Sequence, residues 1–552
     1  MGESLTPNHI RQVINLILQV ETRYFILAMV YSVAVSLLLL GIPISVQMLI
    51  DQVANTALIQ PVVILSVVLF GLLAAAGVLY ALRAHLLELY SRRMFARLSG
   101  EIALTAINGD VRFFEERGRG DLFNRYFDIM TLQRTVPEML VGLFTLLFQG
   151  LIGFALVSLY HPIFLGFNLL LLLALWVIWR GWRNGGMRTA IHLSEAKYRA
   201  AYWLEGLTIN NGFFKSAAHV NFALERTNHH IEDYLAKQRT NFRYGFSQLI
   251  ALLFLYALAS AALLGVGGWL VIAEELTLGQ LVAAELIMSA IFAGFAPLGG
   301  YMMQYYDVAA ACEELYRFRS IPIEDRGGGL PLQKDGLDLT MRGVTTKQHG
   351  DRETFDLHLK AGTKAVVTAS NPNRQRLFLM MLRGYVTPAS GSILLGGQDL
   401  RDVDTLTLRE HVTVIDRPTL VPGRIADILR LADPTASRAT LRRALDCVGL
   451  TERVDGLNKG METRIERDGW PFTNEEAMRF KLAAALLSHP SLLVLVQGFD
   501  TVDEDHLERV LAMLDEKRPT TVLYFSKRPQ MACMPDHLDL DRQSVPTAET
   551  KA

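Results

Sequence analysis

The chain has 552 residues with 54 basic and 55 acidic side chains, a formal net charge of −1, which excludes a nucleic-acid binder driven by bulk positive charge. Hydrophobic residues make up 51% and charged residues only 20%, and mean hydropathy is +0.25, so membrane segments are expected rather than a wholly soluble globule. Cys312, Cys447 and Cys533 lie far apart with no CxxC pair, which excludes a disulfide framework or a cysteine zinc site and fits a reducing compartment.

In chain order, residues 1–20 place Ile10, Val13, Ile14, Ile17 and Leu18 at helical spacing and predict an interfacial helix. No cleavable signal peptide is expected, because the polar start MGESLTPNHIRQ leads into an apolar run that no small-residue cleavage pattern follows. Six apolar runs long enough to cross a bilayer come next, near Tyr24–Ile50, Gln60–Leu82, Pro137–Tyr160, His161–Trp182, Phe246–Ala273 and Leu276–Tyr301. The connections at Asp51–Gln60, Tyr160–Pro162 and Ala273–Gln280 contain no Lys or Arg. The two long connections are basic, with Arg92, Arg93, Arg97 and Arg112 in one and Arg183, Arg188, Lys197 and Arg199 in the other. The positive-inside rule therefore puts the long connections, both termini and the C-terminal half in the cytoplasm. Helical apolar spacing over His85–Ile107 and Ser194–Gln238 predicts helices that run on past the membrane.

Single residues in this half carry weaker signals. Glu285 stands mid-span, where a charge is costly; it meets substrate, a proton or another helix, or is a paired or neutral carboxyl at a helix interface. Gln149 is expected to make an interhelical hydrogen bond, and Gly265, Gly267 and Gly268 to allow close helix approach. His229-His230, and Cys533 near His537, lack ligand spacing, so no metal site is expected.

Beyond the membrane runs, Arg326–Pro331 (RGGGLP) marks a linker over residues 321–333. Strand-like Lys364–Thr368, Thr413–Ile415, Leu492–Val496 and Thr521–Phe525 then alternate with helical Arg374–Leu382, Leu441–Val448, Glu475–Leu487 and Glu504–Glu516. That alternation argues for an α/β domain over residues 334–545, followed by a tail at 546–552.

Six spans with long cytoplasmic helices over residues 21–320, then an α/β domain, resemble a half-transporter of the ABC exporter family. Phe113-Phe114-Glu115-Glu116-Arg117-Gly118-Arg119-Gly120 resembles the family's first intracellular loop, whose coupling helix docks on a nucleotide-binding domain. Glu205-Gly206-Leu207 to Lys215 resembles the second such loop. Leu276–Ala290 is similar to the type I secretion and bacteriocin-exporter branches. The fold implied is an α-helical membrane domain followed by an α/β ABC ATPase-like domain.

Within that resemblance the nucleotide motifs depart from the family's. After the strand Lys364–Val367, the phosphate-loop glycines are replaced by Thr368, Asn371 and Asn373, and Pro372 removes a backbone N–H from the cradle. Arg374 stands at the lysine position and Gln375 at the magnesium-binding hydroxyl. An arginine fork does not replace a compact ammonium in that pocket. The Asp-Glu pair that ends the core strand is Val496-Gln497, the glutamine-loop residue is Asp416, and the switch histidine is Lys527. No adenine-stacking aromatic occurs in Gly343–His349. The signature serine and glycines are Thr473, Asn474 and Glu475, and Glu475 adds repulsion against phosphate. Asp503 keeps the D-loop aspartate. Arg374, Arg376 and Arg383 are either an anion-binding patch or a solvated helix face.

The resemblance and its departures imply a catalytically inactive subunit of an export system in a bacterial-type inner membrane. It would form a homodimer or pair with another ABC subunit, work with export accessory proteins and the lipid bilayer, and need no cofactor. Two alternatives stay open. An active exporter would use ATP and magnesium through Arg374 with Asp416 or Asp503; a binding module would use the α/β domain only to hold a cytoplasmic partner.

Overall fold

The computed structural model describes residues 22–56, 59–115, 126–332, 337–348, 351–516, 519–527, 531 and 533–541. The expected interfacial helix at 1–20, the tail, Arg117 and Gly120 lie outside the described residues. The chain divides into two compact units, one formed by Met1–Gly109 and Phe113–Ile323, the other by Asp110–Arg112 and Glu324–Ala552.

The first unit is helical: α1 (Thr22–Leu39), α2 (Gly41–Thr56), α3 (Ile59–Asn108), α4 (Phe127–Tyr160), α5 (Pro162–Ile209), α6 (Ala217–Ile272), α7 (Leu278–Phe292) and α8 (Phe295–Arg319). Among the described residues six stretches are long and apolar enough to cross a membrane, matching the six runs read from sequence. The first and last are each two helices in succession, broken at Leu40 and at Ala293-Gly294. A proline follows each break, Pro43 and Pro297, inside the first turn of the next helix, where its missing N–H costs little. At 50, 48 and 56 residues, α3, α5 and α6 run roughly 70–85 Å, far beyond a hydrocarbon layer of about 30 Å.

One expectation fails here. The helix read over Ser194–Gln238 is interrupted, because α5 stops at Ile209 and a 3₁₀ turn covers Asn211–Lys215. The Asn210 amide donates back to the Gly206 carbonyl at 2.9 Å, and Ser216 caps α6 by accepting from the His219 N–H at 3.4 Å. Cap chemistry overrode apolar periodicity that continues on both sides. The glycine reading holds at one position: a Cβ on Gly267 would sit 2.4 Å from Leu281, whereas Gly265 and Gly268 have nothing within 4 Å.

Among its described residues the second unit holds three sheets, the smallest an antiparallel pair of Gly423–Arg424 with Arg464–Ile465. The larger antiparallel one orders β2 (Asp351–Leu359), β1 (Leu339–Gln348), β4 (Ser390–Leu395) and β5 (Gln398–Asp399). The parallel one orders β9 (Asp536–Asp539), β3 (Lys364–Thr368), β8 (Thr521–Phe525), β7 (Leu492–Leu495) and β6 (Val412–Ile415). Strand alternation divides the parallel sheet between two cores. Ala365, Val367, Val494, Leu523 and Phe525 face one; Val366, Leu493, Leu495, Val522 and Tyr524 face the other. Helices α9 (Pro372–Leu382), α10 (Asn474–Ser488) and α11 (Glu504–Asp515) pack their apolar faces into these cores. The glycine-rich stretch read as a linker is laid along residues 401–405: Gly328 and Leu330 donate to the Arg401 and Asp402 carbonyls, and Asp404 donates back to Leu330.

Candidate functional site

Of the positions named for nucleotide chemistry, the phosphate-loop residues, Val496, Gln497 and Lys527 lie where β3, β7 and β8 end and α9 begins, whereas Asp416 follows β6, Asp503 precedes α11, and Thr473, Asn474 and Glu475 stand at the start of α10. Thr368 closes β3, and its carbonyl accepts the Leu540 N–H at 3.0 Å. Asn371 caps α9, its side chain accepting from the Asn373 N–H at 2.9 Å, and Pro372 takes the first helical position. The Ser370 N–H donates to the Asp541 carboxylate at 2.8 Å, a contact that bridges 171 residues of sequence. That backbone N–H holds the Asp541 carboxyl below the usual carboxylate range, opposed by partial burial and assisted by the Ser370 side chain and Arg374.

Arg374 turns away from the loop mouth. Its guanidinium lies 4.8 Å over the Phe355 ring, pairs with Glu353, and donates to the Leu540 carbonyl at 3.0 Å and the Thr354 carbonyl at 2.6 Å. Its side chain is 11% exposed. Arg383 donates to Asp416 at 3.0 Å and to the Val414 carbonyl at 2.7 Å. Arg374 and Arg383 are tied to acids of their own domain rather than offered to an anion or solvated on a helix face, whereas Arg376 is exposed on α9. Burial pushes the nearby Lys481 ammonium below the ordinary lysine range, with Asp416 opposing, and its Nζ donates to the Arg417 carbonyl at 2.7 Å.

Gln497 begins the turn after β7 and donates its amide N–H to the Gln375 carbonyl oxygen at 3.2 Å. Beside it Val496 is buried at 7% exposure, facing the core. Two neutral amides thus meet at the positions where the resemblance expects a metal bridge. Asp503 stands ahead of α11, makes no side-chain cap and accepts the His506 N–H on its backbone carbonyl at 3.1 Å. Lys527 follows β8, its backbone N–H 3.4 Å from Asp500.

Sequence reasoning missed Asp500, Asp541 and Glu353. Asp500 accepts from the Tyr524 and Ser526 hydroxyls, each at 2.6 Å, and so ties the turn after β7 to the end of β8. Its place three residues beyond Gln497 was a usable signal; Asp541 and Glu353 come from distant sequence and gave none.

The signature positions fold as a capping box. The Thr473 hydroxyl accepts the Glu476 N–H at 3.2 Å, and the Glu476 carboxylate accepts the Thr473 N–H at 2.9 Å. Asn474 and Glu475 open α10; Glu475 pairs with Arg479 at 3.2 Å and Glu476 with Arg453 at 3.2 Å. Two carboxylates therefore occupy the positive end of the helix, where an incoming anion would otherwise be favoured.

In the helical unit, Phe113 and Phe114 meet edge-on at 5.5 Å within Val111–Glu115 and pack beside the cluster of Tyr90, Leu98, Ile129 and Ile321. Glu205 and Gly206 lie in the last turns of α5, next to an aromatic group of Trp203, Phe214 and Phe222. The Glu285 Oε1 accepts from the Ser289 hydroxyl at 3.3 Å, and its Oε2 is buried with no partner among the described residues. Gln149 makes no interhelical bond among the described residues; it lines an apolar cavity of about 310 Å³ with Leu146, Phe154, Ile291 and Phe295. Among the described residues no group of three His, Cys, Asp or Glu side chains is placed to hold a metal.

Residues 25–200 match the ABC transporter transmembrane region. The chain is 22% identical over 507 residues to the lactococcin-A transport/processing ATP-binding protein of Lactococcus lactis, covering 88% of this chain and 69% of that one. It is 23% identical over 493 residues to the alpha-hemolysin translocation ATP-binding protein of Escherichia coli, covering 87% and 69%. A solved bacterial Atm1-family ABC exporter with ATP bound superposes with a TM-score of 0.82 at 16% identity, over 96% of this chain and 95% of that one.

Proposed function

From a chain that carries an ABC transporter transmembrane region and has the fold of an ABC exporter, we propose a non-hydrolysing subunit of a type I secretion-like export system. The relatives named above are bacterial export proteins, which supports the type of system and a place in the bacterial inner membrane. The basic connections of the helical unit support a cytoplasmic α/β domain and cytoplasmic termini. Pairing is through the membrane helices, with a second copy or with an ABC subunit that hydrolyses ATP.

The observation that carries the inactive reading is the hydrogen bonding around the phosphate loop. The Ser370 N–H is answered by Asp541, Arg374 is held by Glu353 and two carbonyls, and Gln375 is answered by Gln497. These residues do not fit Mg-ATP held in the family's manner: no carboxylate stands at Val496 or Gln497 to take metal or a proton, and loop donors are already used. The α/β domain then serves by shape, as scaffold or regulator of a partner.

Calorimetry of the purified full-length protein with Mg-ATP to millimolar concentration, with ATPase alongside, tests this directly. No binding and no turnover is expected. Deleting the chain should abolish or alter export, while Gln497→Ala leaves it unchanged. ATP turnover that Gln497→Ala abolishes would replace this reading with an active exporter of unorthodox motifs.

A further inference from the structure

Arg83 is a cation inside the membrane unit that none of the transport motifs uses. It lies on α3 at the cytoplasmic end of the second apolar run, yet it is held among the helices. Its Nη1 donates to Ser32 Oγ of α1 at 3.3 Å and to Thr145 Oγ1 of α4 at 3.2 Å, and its guanidinium lies 4.6 Å over the Tyr80 ring. Both hydroxyls have committed their own protons, Ser32 to the Ala28 carbonyl at 2.8 Å and Thr145 to the Val141 carbonyl at 2.7 Å. Their lone pairs therefore face the arginine. Two helices thus fix one tip of the fork and keep the head from swinging freely toward water as a surface arginine does.

The opposite edge of the fork, Nε and Nη2, bonds no protein acceptor among the described residues, and no carboxylate there pairs with it. That edge is the one that meets an oxyanion in two parallel bonds. From Thr145 to the outer end of α4 at Tyr160 is about 22 Å of helix, so the guanidinium sits within the inner leaflet's share of a roughly 30 Å hydrocarbon layer. An unpaired cation at that depth costs a few kcal/mol, and such residues are generally retained for a ligand. Only 6% of the apolar window of α3 is buried within the chain, which leaves this helix facing lipid or a second subunit.

We infer that Ser32, Arg83 and Thr145 form a binding site for the phosphate of an anionic phospholipid of the inner leaflet. Tyr80, itself exposed on α3, lies under the guanidinium and supplies an aromatic face to it. Arg83 forms no ion pair with Glu138, the carboxylate of α4 nearest in sequence to Thr145, among the described residues. The arginine's charge is therefore available to a ligand.

The full-length protein, reconstituted in phosphatidylcholine nanodiscs containing phosphatidylglycerol and then extracted, is assayed for retained lipid by mass spectrometry. Wild type should retain phosphatidylglycerol over phosphatidylcholine, and Arg83→Gln should reduce that preference about fivefold. Arg83→Lys should fall between them, because it keeps charge without the fork. Thr145→Ala keeps the cation and frees it from α4, and should weaken retention less than Arg83→Gln. Thermal melts of each variant show whether the fold is kept. Equal retention by wild type and a folded Arg83→Gln overturns the site, as does the absence of any phosphatidylglycerol preference in wild type. An acidic peptide that binds wild type but not Arg83→Gln in pure phosphatidylcholine, with no lipid preference, overturns the lipid assignment in favour of cargo.

Discussion

Two helix N-termini in the second unit, at Pro372 and at Asn474, stand where the ABC resemblance expects phosphate, and each is closed by the chain's own groups in a different way. At Pro372 the closing groups are tertiary: Asp541 takes the Ser370 N–H, and Glu353 takes Arg374. At Asn474 they are local, since Thr473 and Glu476 answer each other within one turn. The first closure exists only when β2, β3 and β9 are assembled, whereas the second is written into four consecutive residues. Substitutions at the two ends should therefore differ in size, pH response and reach.

Arg374→Met gives the largest effect expected. Methionine keeps the apolar stem against Phe355 but leaves Glu353, 13% exposed, without its cation, and leaves the Thr354 and Leu540 carbonyls short of a donor. Breaking such a pair costs about 3 kcal/mol, which is roughly 6–12 °C in the melting midpoint of a domain this size. A melt of the full-length protein that moves by less than about 2 °C would make Arg374 a spare nucleotide contact rather than a tie between strands.

Asp541→Asn tests the same closure through pH. The Ser370 N–H lowers the folded-state pKa of Asp541, so the contribution of its charge is fully present above the unfolded value of about 3.9 and is lost as pH falls through the lower folded value. Asparagine still offers an acceptor to Ser370 but carries no charge. The wild type should melt higher than Asp541→Asn at neutral pH, and the two midpoints should converge below about pH 4. A gap that stays constant down to acid pH would show that the carboxylate charge contributes nothing at the loop.

The same contrast explains what was legible in the sequence. Membrane spans, the α/β alternation and the local cap chemistry at Thr473 depend on residues close in the chain, and Lys364–Thr368 and Thr521–Phe525 appear as strands with the bounds read from composition. The antiparallel sheet was not anticipated: the register shift between Met341 and Val344 breaks the alternation of β1, while the alternating Phe355, Leu357 and Leu359 of β2 were a strand signal left unread. The phosphate-loop substitutions were visible as letters. Their partners were not, since Asp541 and Glu353 reach the loop only through strand pairing, and no spacing in sequence marks a contact across 171 residues. The break at Asn210 lies inside Glu205–Lys215, which the resemblance read as the second intracellular loop although the helical periodicity over Ser194–Gln238 runs straight through it.

Thr473→Ala is the smallest and most confined change, and it isolates the local closure. Removing the hydroxyl leaves the Glu476 N–H without its acceptor, a loss of about 1 kcal/mol for a helix cap. Glu476 keeps its pairing with Arg453 at 3.2 Å, which limits the fraying to the first turn. Amide hydrogen exchange should rise over residues 473–477 and stay unchanged over 368–376, with no change in the acid limb that Asp541 governs. If exchange rises at both N-termini, the two closures are coupled through the parallel sheet, and the signature end is part of the same tertiary arrangement as the phosphate loop rather than an independent cap.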